Sequence, residues 1–157
     1  MPTLHLMIGI PGCGKSTYAA RLAETTGARI VSSDGIRKEL TGTEEYMHPE
    51  LDGKVFGIFR SRVSEWIRET DVVADATNIR VKDWKTYVGL CPDGTEAIAY
   101  WFDICPDVAM ARMEGREREV PRDVVERMWA TMCQNRHYLS ECFPPERIVV
   151  VGPEEKA

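Results

Sequence analysis

Residues 9–17, GIPGCGKST, have the spacing Gly-x-x-x-x-Gly-Lys-Ser/Thr, which gathers backbone N–H groups, an ammonium and a hydroxyl into one short loop. Gly12 and Gly14 let the chain curl so that successive N–H groups face phosphate oxygens, and Lys15 can reach the β- and γ-phosphates of a nucleoside triphosphate. Ser16 offers its hydroxyl to Mg²⁺, with Thr17 beside it at the start of a helix. Cys13 fills a free position of the pattern and reads as a small spacer. Glycine-rich turns are common, so the context decides: the apolar run TLHLMI (3–8) precedes the loop, and STYAARLAETTG follows with helical spacing at Tyr18, Leu22 and Thr25, ending at Gly27. The expected nucleotide-binding set is Gly12, Cys13, Gly14, Lys15, Ser16 and Thr17. A phosphate loop alone serves motors, switches, kinases and hydrolases, so the acceptor must be read elsewhere.

Two acids are candidates for that role. Asp34 lies in IVSSDGIRKEL (30–40) after a second apolar run, ARIVS, and Asp75 lies in VADATN after a third. Ligands of a parallel sheet bind at the carboxyl ends of its strands, so both acids should open on the crevice that holds the phosphate loop. One carboxylate would take a proton from an attacking hydroxyl; the other would hold the acceptor or, through a water, Mg²⁺. The competing readings are an N-cap for Asp34 and a turn residue for Asp75.

ARMEGREREVP carries Arg112, Arg116 and Arg118. Its interleaved Glu114, Glu117 and Glu119 allow a plain solvated loop. Yet Arg112 and Arg116 stand one helical turn apart, and a lid laying both guanidinium groups across a triphosphate would stabilise the charge that develops in phosphoryl transfer.

Those residues need a frame, and the periodicity supplies one. The order is strand (3–8), loop, helix to Gly27, strand ARIVS, short helix DGIRKELTG, and a long amphipathic helix within 48–70 carrying Leu51, Val55, Phe59, Val63, Trp66 and Ile67. A strand in DVVADATN, a helix over 80–90, the strand EAIAYWFDI and a helix over 106–114 follow. Pro121 then opens a helix with Val124, Val125, Met128 and Met132 on one side, and RIVVV is the last strand. Alternating strands and helices predict an α/β domain with a parallel sheet of about five strands covered on both faces.

With 157 residues, 43% of them hydrophobic, the chain can bury one core; a single domain over 1–152 with a lid at about 112–120 and a tail at 153–157 is expected. The formal charge of −5 implies no general polyanion-binding surface, so any nucleic-acid contact should be local to a few arginines. Five scattered cysteines without a Cys-x-x-Cys pair argue against a disulfide framework or a zinc site, and fit a reducing cytoplasm. No apolar run approaches the ~18–20 residues of a membrane span.

GIPGCGKST, SSDGIRKEL, ADATN, and RMEGREREVP followed by RDVVERMWATM resemble, in order and spacing, the kinase domain of bacteriophage and bacterial polynucleotide 5′-kinases, an AAA-type P-loop kinase subfamily, over residues 4–135. The resemblance implies a three-layer P-loop kinase fold with an arginine-bearing lid, ATP as phosphate donor, Mg²⁺, and a cytoplasmic setting in a bacterium or a phage-infected host. It implies Asp34 as general base for a 5′-hydroxyl, Arg37 as holder of the acceptor's phosphate, and Arg112 and Arg116 as lid arginines on ATP. Val120 would pack on the acceptor base, while Asp75, Thr77 and Asn78 match the acceptor-side loop. The lid is slightly shorter here, which leaves Arg118 unassigned. The expected activity is transfer of the γ-phosphate to a hydroxyl on nucleic acid, foremost the 5′-OH end of DNA or RNA. The alternatives are the hydroxymethyl group of a modified pyrimidine in phage DNA, a nucleotide-binding switch or ATPase, and a small-molecule kinase.

Other residues read as structural. His5, His48 and His137 have no metal-site spacing, and Trp66, Trp84, Trp101 and Trp129 are expected in packing. Trp84, with Arg80 and Lys82 nearby, is the one aromatic placed to stack on a base.

Overall fold

The computed structural model describes residues 1–43, 48–116 and 120–153. The expected alternation is present. β1 (Thr3–Ile8) leads through the glycine loop into α1 (Lys15–Thr26); β2 (Arg29–Ser32) runs directly into α2 (Ser33–Thr41); α3 (Asp52–Trp66) precedes β3 (Val72–Asp75). Then come α4 (Val81–Leu90), β4 (Glu96–Phe102), α5 (Pro106–Met113), α6 (Arg122–Asn135), the short α7 (Leu139–Cys142) and β5 (Ile148–Val151). All four strand pairings are parallel, in the order β2-β3-β1-β4-β5. β1 therefore lies in the centre, and its carboxyl end, where the glycine loop begins, is flanked by those of β3 and β4.

Burial explains the run-like strand sequences. Leu4, Leu6, Met7 and Ile8 of β1 and Val72, Val73 and Ala74 of β3 have no exposed surface, because helices cover both faces and neither side of the strand needs polar residues. Tyr18 of α1 meets Tyr100 and Phe102 of β4 with ring centroids 5.5 and 5.4 Å apart, whereas Trp84 of α4 meets the alternate residue Trp101 at 6.2 Å. The edge strand β2 is different: Arg29 and Ile30 are exposed, and the Arg29 guanidinium lies 3.5 Å from the ring centre of Trp66.

The long helix is shorter than its periodicity suggests. Its apolar face, Val55, Phe59 and Val63, is buried as expected, but a 3₁₀ turn at Pro49–Leu51 precedes the α-helix, which ends at Trp66. Proline has no N–H to donate, so it starts a turn readily. Trp84 is fully buried and its indole Nε1 donates to the Asn78 carbonyl at 2.6 Å, so it is a core residue and offers no face to a base.

Candidate active site

The loop after β1 is shaped by two left-handed glycines, Gly12 at φ 83° and Gly14 at φ 96°. At Gly12 an added Cβ would fall 2.6 Å from both the Ala109 carbonyl oxygen and Met113 Cγ, so α5 presses against the loop as closely as a hydrogen permits. Gly14 is the residue before α1, whose first N–H groups consequently face the loop's concavity without a side-chain cap. Lys15 is buried, and its Nζ donates to the Ile10 carbonyl at 2.9 Å and contacts Cys13 Sγ at 3.7 Å. Burial pushes the Cys13 thiol up, against the opposing pull of Lys15. A packed neutral spacer is the outcome. The loop's backbone donors, the ammonium and the exposed Ser16 and Thr17 form a donor set suited to a triphosphate.

Asp75 closes β3 and is buried, with its Oδ2 accepting from Ser16 Oγ at 3.0 Å. Burial raises its carboxyl above the ordinary range; Lys15 and the Ser16 hydroxyl pull it back, and Asp34 pushes it further up. Lys15, Ser16 and Asp34 therefore all act on Asp75 in a single crevice, as strand order demands. A hydroxyl bonded to a carboxylate is a fitting donor pair for Mg²⁺, the hydroxyl binding directly and the acid through a water.

Asp34 is not the helix cap. Ser32 is: its Oγ accepts from the Gly35 N–H at 3.1 Å, leaving Asp34 inside the first turn of α2. Arg37, a turn later and buried, donates from Nη1 to Asp34 Oδ1 at 3.1 Å. Its Nη2 lies 3.5 Å from Oδ1 of Asp52, the first residue of α3. Asp52 went unnoticed in the sequence because an acid at a helix start has an ordinary explanation in the helix dipole.

The acceptor-side loop divides in two. Thr77 is half-buried, and its carbonyl accepts from the Gly9 N–H at 3.0 Å, tying β3's exit to β1's. Asn78 is buried at a left-handed φ of 46°, and its Nδ2 donates to Met7 O at 2.8 Å and Ala76 O at 3.3 Å. Its amide nitrogen is thus a latch between strand ends.

The two arginines expected in a lid are not related by a helical turn. α5 stops at Met113, Gly115 turns left-handed at φ 77°, and Arg116 lies beyond it, exposed, with its N–H on the Met113 carbonyl. Arg112 instead reaches the phosphate loop: its Nη1 donates to Cys13 O at 2.8 Å and its Nη2 to Pro153 O at 3.1 Å. Pro153, placed by sequence in a tail, is thereby held beside the loop. Val120 lines a groove of about 580 Å³ between α5 and α6 with Met110, Met113 and Pro121. Arg118, Glu117 and Glu119 lie outside the described residues.

The model of the AAA-domain family matches residues 4–139. The chain belongs to that family. No curated protein matches the AAA-domain chain by sequence. Among solved structures it is similar to a chain of the Pnkp1/Rnl/Hen1 RNA repair complex, with TM-score 0.77 and 21% identity over 88% of this chain and 46% of that one. It thus spans less than half the length of that relative. It is also similar to a gluconokinase from Sinorhizobium meliloti 1021, TM-score 0.68 and 17% identity over 98% and 84% of the two chains. A deoxyadenosine kinase from M. mycoides solved with bound dATP gives TM-score 0.64 and 14% identity over 97% and 92%. The AAA-domain chain therefore has the P-loop kinase fold, as its resemblance to polynucleotide kinases led one to expect, and that fold is one that binds nucleotides. Among the described residues no helix is long and apolar enough to cross a membrane.

Proposed function

We propose that this protein is an ATP-dependent kinase that transfers the γ-phosphate to a hydroxyl on nucleic acid, foremost a 5′-OH end. The observation that carries the reading is the pairing of Asp34 with buried Arg37 in the same crevice as Lys15, Ser16 and Asp75. A carboxylate–guanidinium pair beside the phosphate loop would give an acceptor both a base and an anion holder, which a switch or simple ATPase does not require. The RNA repair complex among the structural neighbours supports the nucleic-acid acceptor.

In this reading Lys15 and the loop N–H groups hold the β- and γ-phosphates, while Arg112 and Arg116 offset the charge that spreads over the transferring group. Asp34 accepts the proton of the attacking hydroxyl as the new oxygen–phosphorus bond forms and the bond from the γ-phosphorus to the bridging oxygen breaks, releasing ADP. Mg²⁺, when bound, neutralises phosphate charge; Ser16 would hold it directly and Asp75 through water. Arg37 holds the phosphate next to the acceptor sugar, and Thr77 and Val120 border the acceptor.

The test offers labelled ATP with 5′-OH DNA, 5′-OH RNA, hydroxymethylated duplex DNA, gluconate and deoxyadenosine in parallel. Label on a terminal 5′ sugar after digestion to nucleotides is expected. Label on a modified base moves the acceptor to the hydroxymethyl group, label on a free small molecule replaces the nucleic-acid reading, and hydrolysis alone removes the kinase.

A further inference from the structure

Arg37 is only 6% exposed, yet its guanidinium is shared between carboxylates on two different helices. The contacts are unequal. Asp34, on the same helix, is bonded at 3.1 Å with its side chain 29% exposed; Asp52 stands at 3.5 Å with its side chain 38% exposed. The second distance is at the outer limit for a hydrogen bond, and the side chain making it can turn toward water.

A carboxylate and a phosphodiester present the same kind of anionic oxygen pair to a guanidinium, so one can replace the other without leaving the buried charge unpaired. We infer that Asp52 is a placeholder for the acceptor's phosphate: it holds Arg37 until the phosphate adjoining the attacked sugar takes over, and so selects acceptors that bring one. The inference rests on the nucleic-acid kinase reading and gives it a specificity device. The donor side has a parallel in Lys15, whose Nζ rests on the Ile10 carbonyl. That stand-in is neutral and yields at little cost. Asp52 carries charge, so an anion at Arg37 compensates for its displacement better than a neutral group does. An acceptor without a phosphate leaves Asp52 where it is and gains nothing from Arg37.

The sign of the effect follows. Neutralising Asp52 removes a competitor, so a phosphate-bearing acceptor binds more tightly while a phosphate-free one does not. A half-exposed ion pair contributes about 0.2–1 kcal/mol, which corresponds to a gain of up to about 5-fold. A role for Asp52 confined to the start of α3 would change thermal stability but would not distinguish the two ligands.

The experiment titrates thymidine 3′-monophosphate and thymidine, by calorimetry or NMR, into wild type, Asp52→Asn, the Asp52→Asn/Arg37→Ala pair and Glu146→Gln. Glu146 is exposed in the turn that leads into β5, at the end of the sheet away from the crevice, and its substitution controls for net charge. The expected result is about 2- to 5-fold tighter binding of the 3′-monophosphate by Asp52→Asn, no change for thymidine, and loss of the gain when Arg37 is also removed. Equal or weaker binding of the 3′-monophosphate, equal tightening of both ligands, the same gain in Glu146→Gln, or no binding to either protein overturns the inference. Asp52→Ser serves in place of Asn if the first variant misfolds. Binding is read without turnover, so failure of wild type to phosphorylate any 5′-OH end would remove the kinase reading while leaving these outcomes to judge Asp52.

Discussion

On the donor side of the crevice, the groups that would meet phosphate come from one uninterrupted loop: Gly12, Gly14, Lys15 and Ser16 follow each other in the chain, and Lys15 rests on a carbonyl five residues away. On the acceptor side, Arg37 is bonded to acids at 34 and 52, and Asp75 reaches across to Ser16 over 59 residues. The donor half is shaped chiefly by local backbone geometry, the acceptor half by side-chain contacts, of which Arg37–Asp52 and Asp75–Ser16 join different elements. Local geometry is common to many chemistries, whereas inter-element pairs can be rearranged one at a time to suit an acceptor. Substitutions should therefore separate the two halves.

The largest separation is expected at Asp34. Asp34→Ala should lower transfer to a 5′-OH oligonucleotide by roughly 10²- to 10⁴-fold, the usual contribution of a positioned general base, while ATP binding measured by calorimetry stays at the wild-type level. Near-normal turnover with unchanged circular dichroism would take the base away from Asp34; lost ATP binding would show that the two halves are not independent.

That division also explains what could be read in advance. The strand–loop–helix order and the phosphate loop were legible because each is set within a dozen residues by apolar period and glycine placement. Asp34 and Asp75 were legible through topology, since a parallel sheet brings its strand exits together. Asp52 was not, because its partner Arg37 is 15 residues away and reached through packing of α3 on α2. Trp84 was expected in packing and is buried, but its bond to the Asn78 carbonyl and the inward turn of the Asn78 amide were not legible, because a polar loop motif says nothing about which of its side chains turn inward.

Asp75 bridges the halves, so its loss should be felt on both. Asp75→Asn is expected to raise the Mg²⁺ concentration needed for half-maximal transfer by about 10- to 100-fold, the usual effect of removing an outer-shell metal partner. Because burial holds its carboxyl above the ordinary range, wild type should show a milder form of the same defect as pH falls. A Mg²⁺ requirement identical in the two proteins would confine Asp75 to bonding Ser16.

Asn78 tests the latch beneath the acceptor loop. Asn78→Ala removes the donor to Met7 O and Ala76 O from a buried site, which should cost about 1–3 kcal/mol in urea unfolding. Acceptor affinity in the folded fraction should change little. A loss of acceptor binding without a loss of stability would return Asn78 to the substrate.

The smallest effect is expected at the opposite end of β1, where no phosphate chemistry is proposed. His5 Nδ1 lies 2.8 Å from the Tyr100 hydroxyl, and its Nε2 lies 3.4 Å from Asp71 Oδ2. Burial lowers its pKa from the ordinary 6.5, and Asp71 only partly restores it; the Tyr100 hydroxyl is pushed up to about 12 and remains neutral. With the folded pKa below the unfolded one, the unfolded chain binds more protons between the two values, and stability rises with pH there. His5's contribution is therefore complete above pH 6.5 and is lost as pH falls through the folded value. Urea midpoints of wild type and His5→Gln, measured from pH 7.5 down to 5, should converge on the acid side, and direct NMR titration of His5 in the folded protein should give a midpoint below 6.5. Curves that diverge on the acid side, with a midpoint above 6.5, would mean that Asp71 outweighs burial and that this end of the sheet, like Arg37, is held by charge.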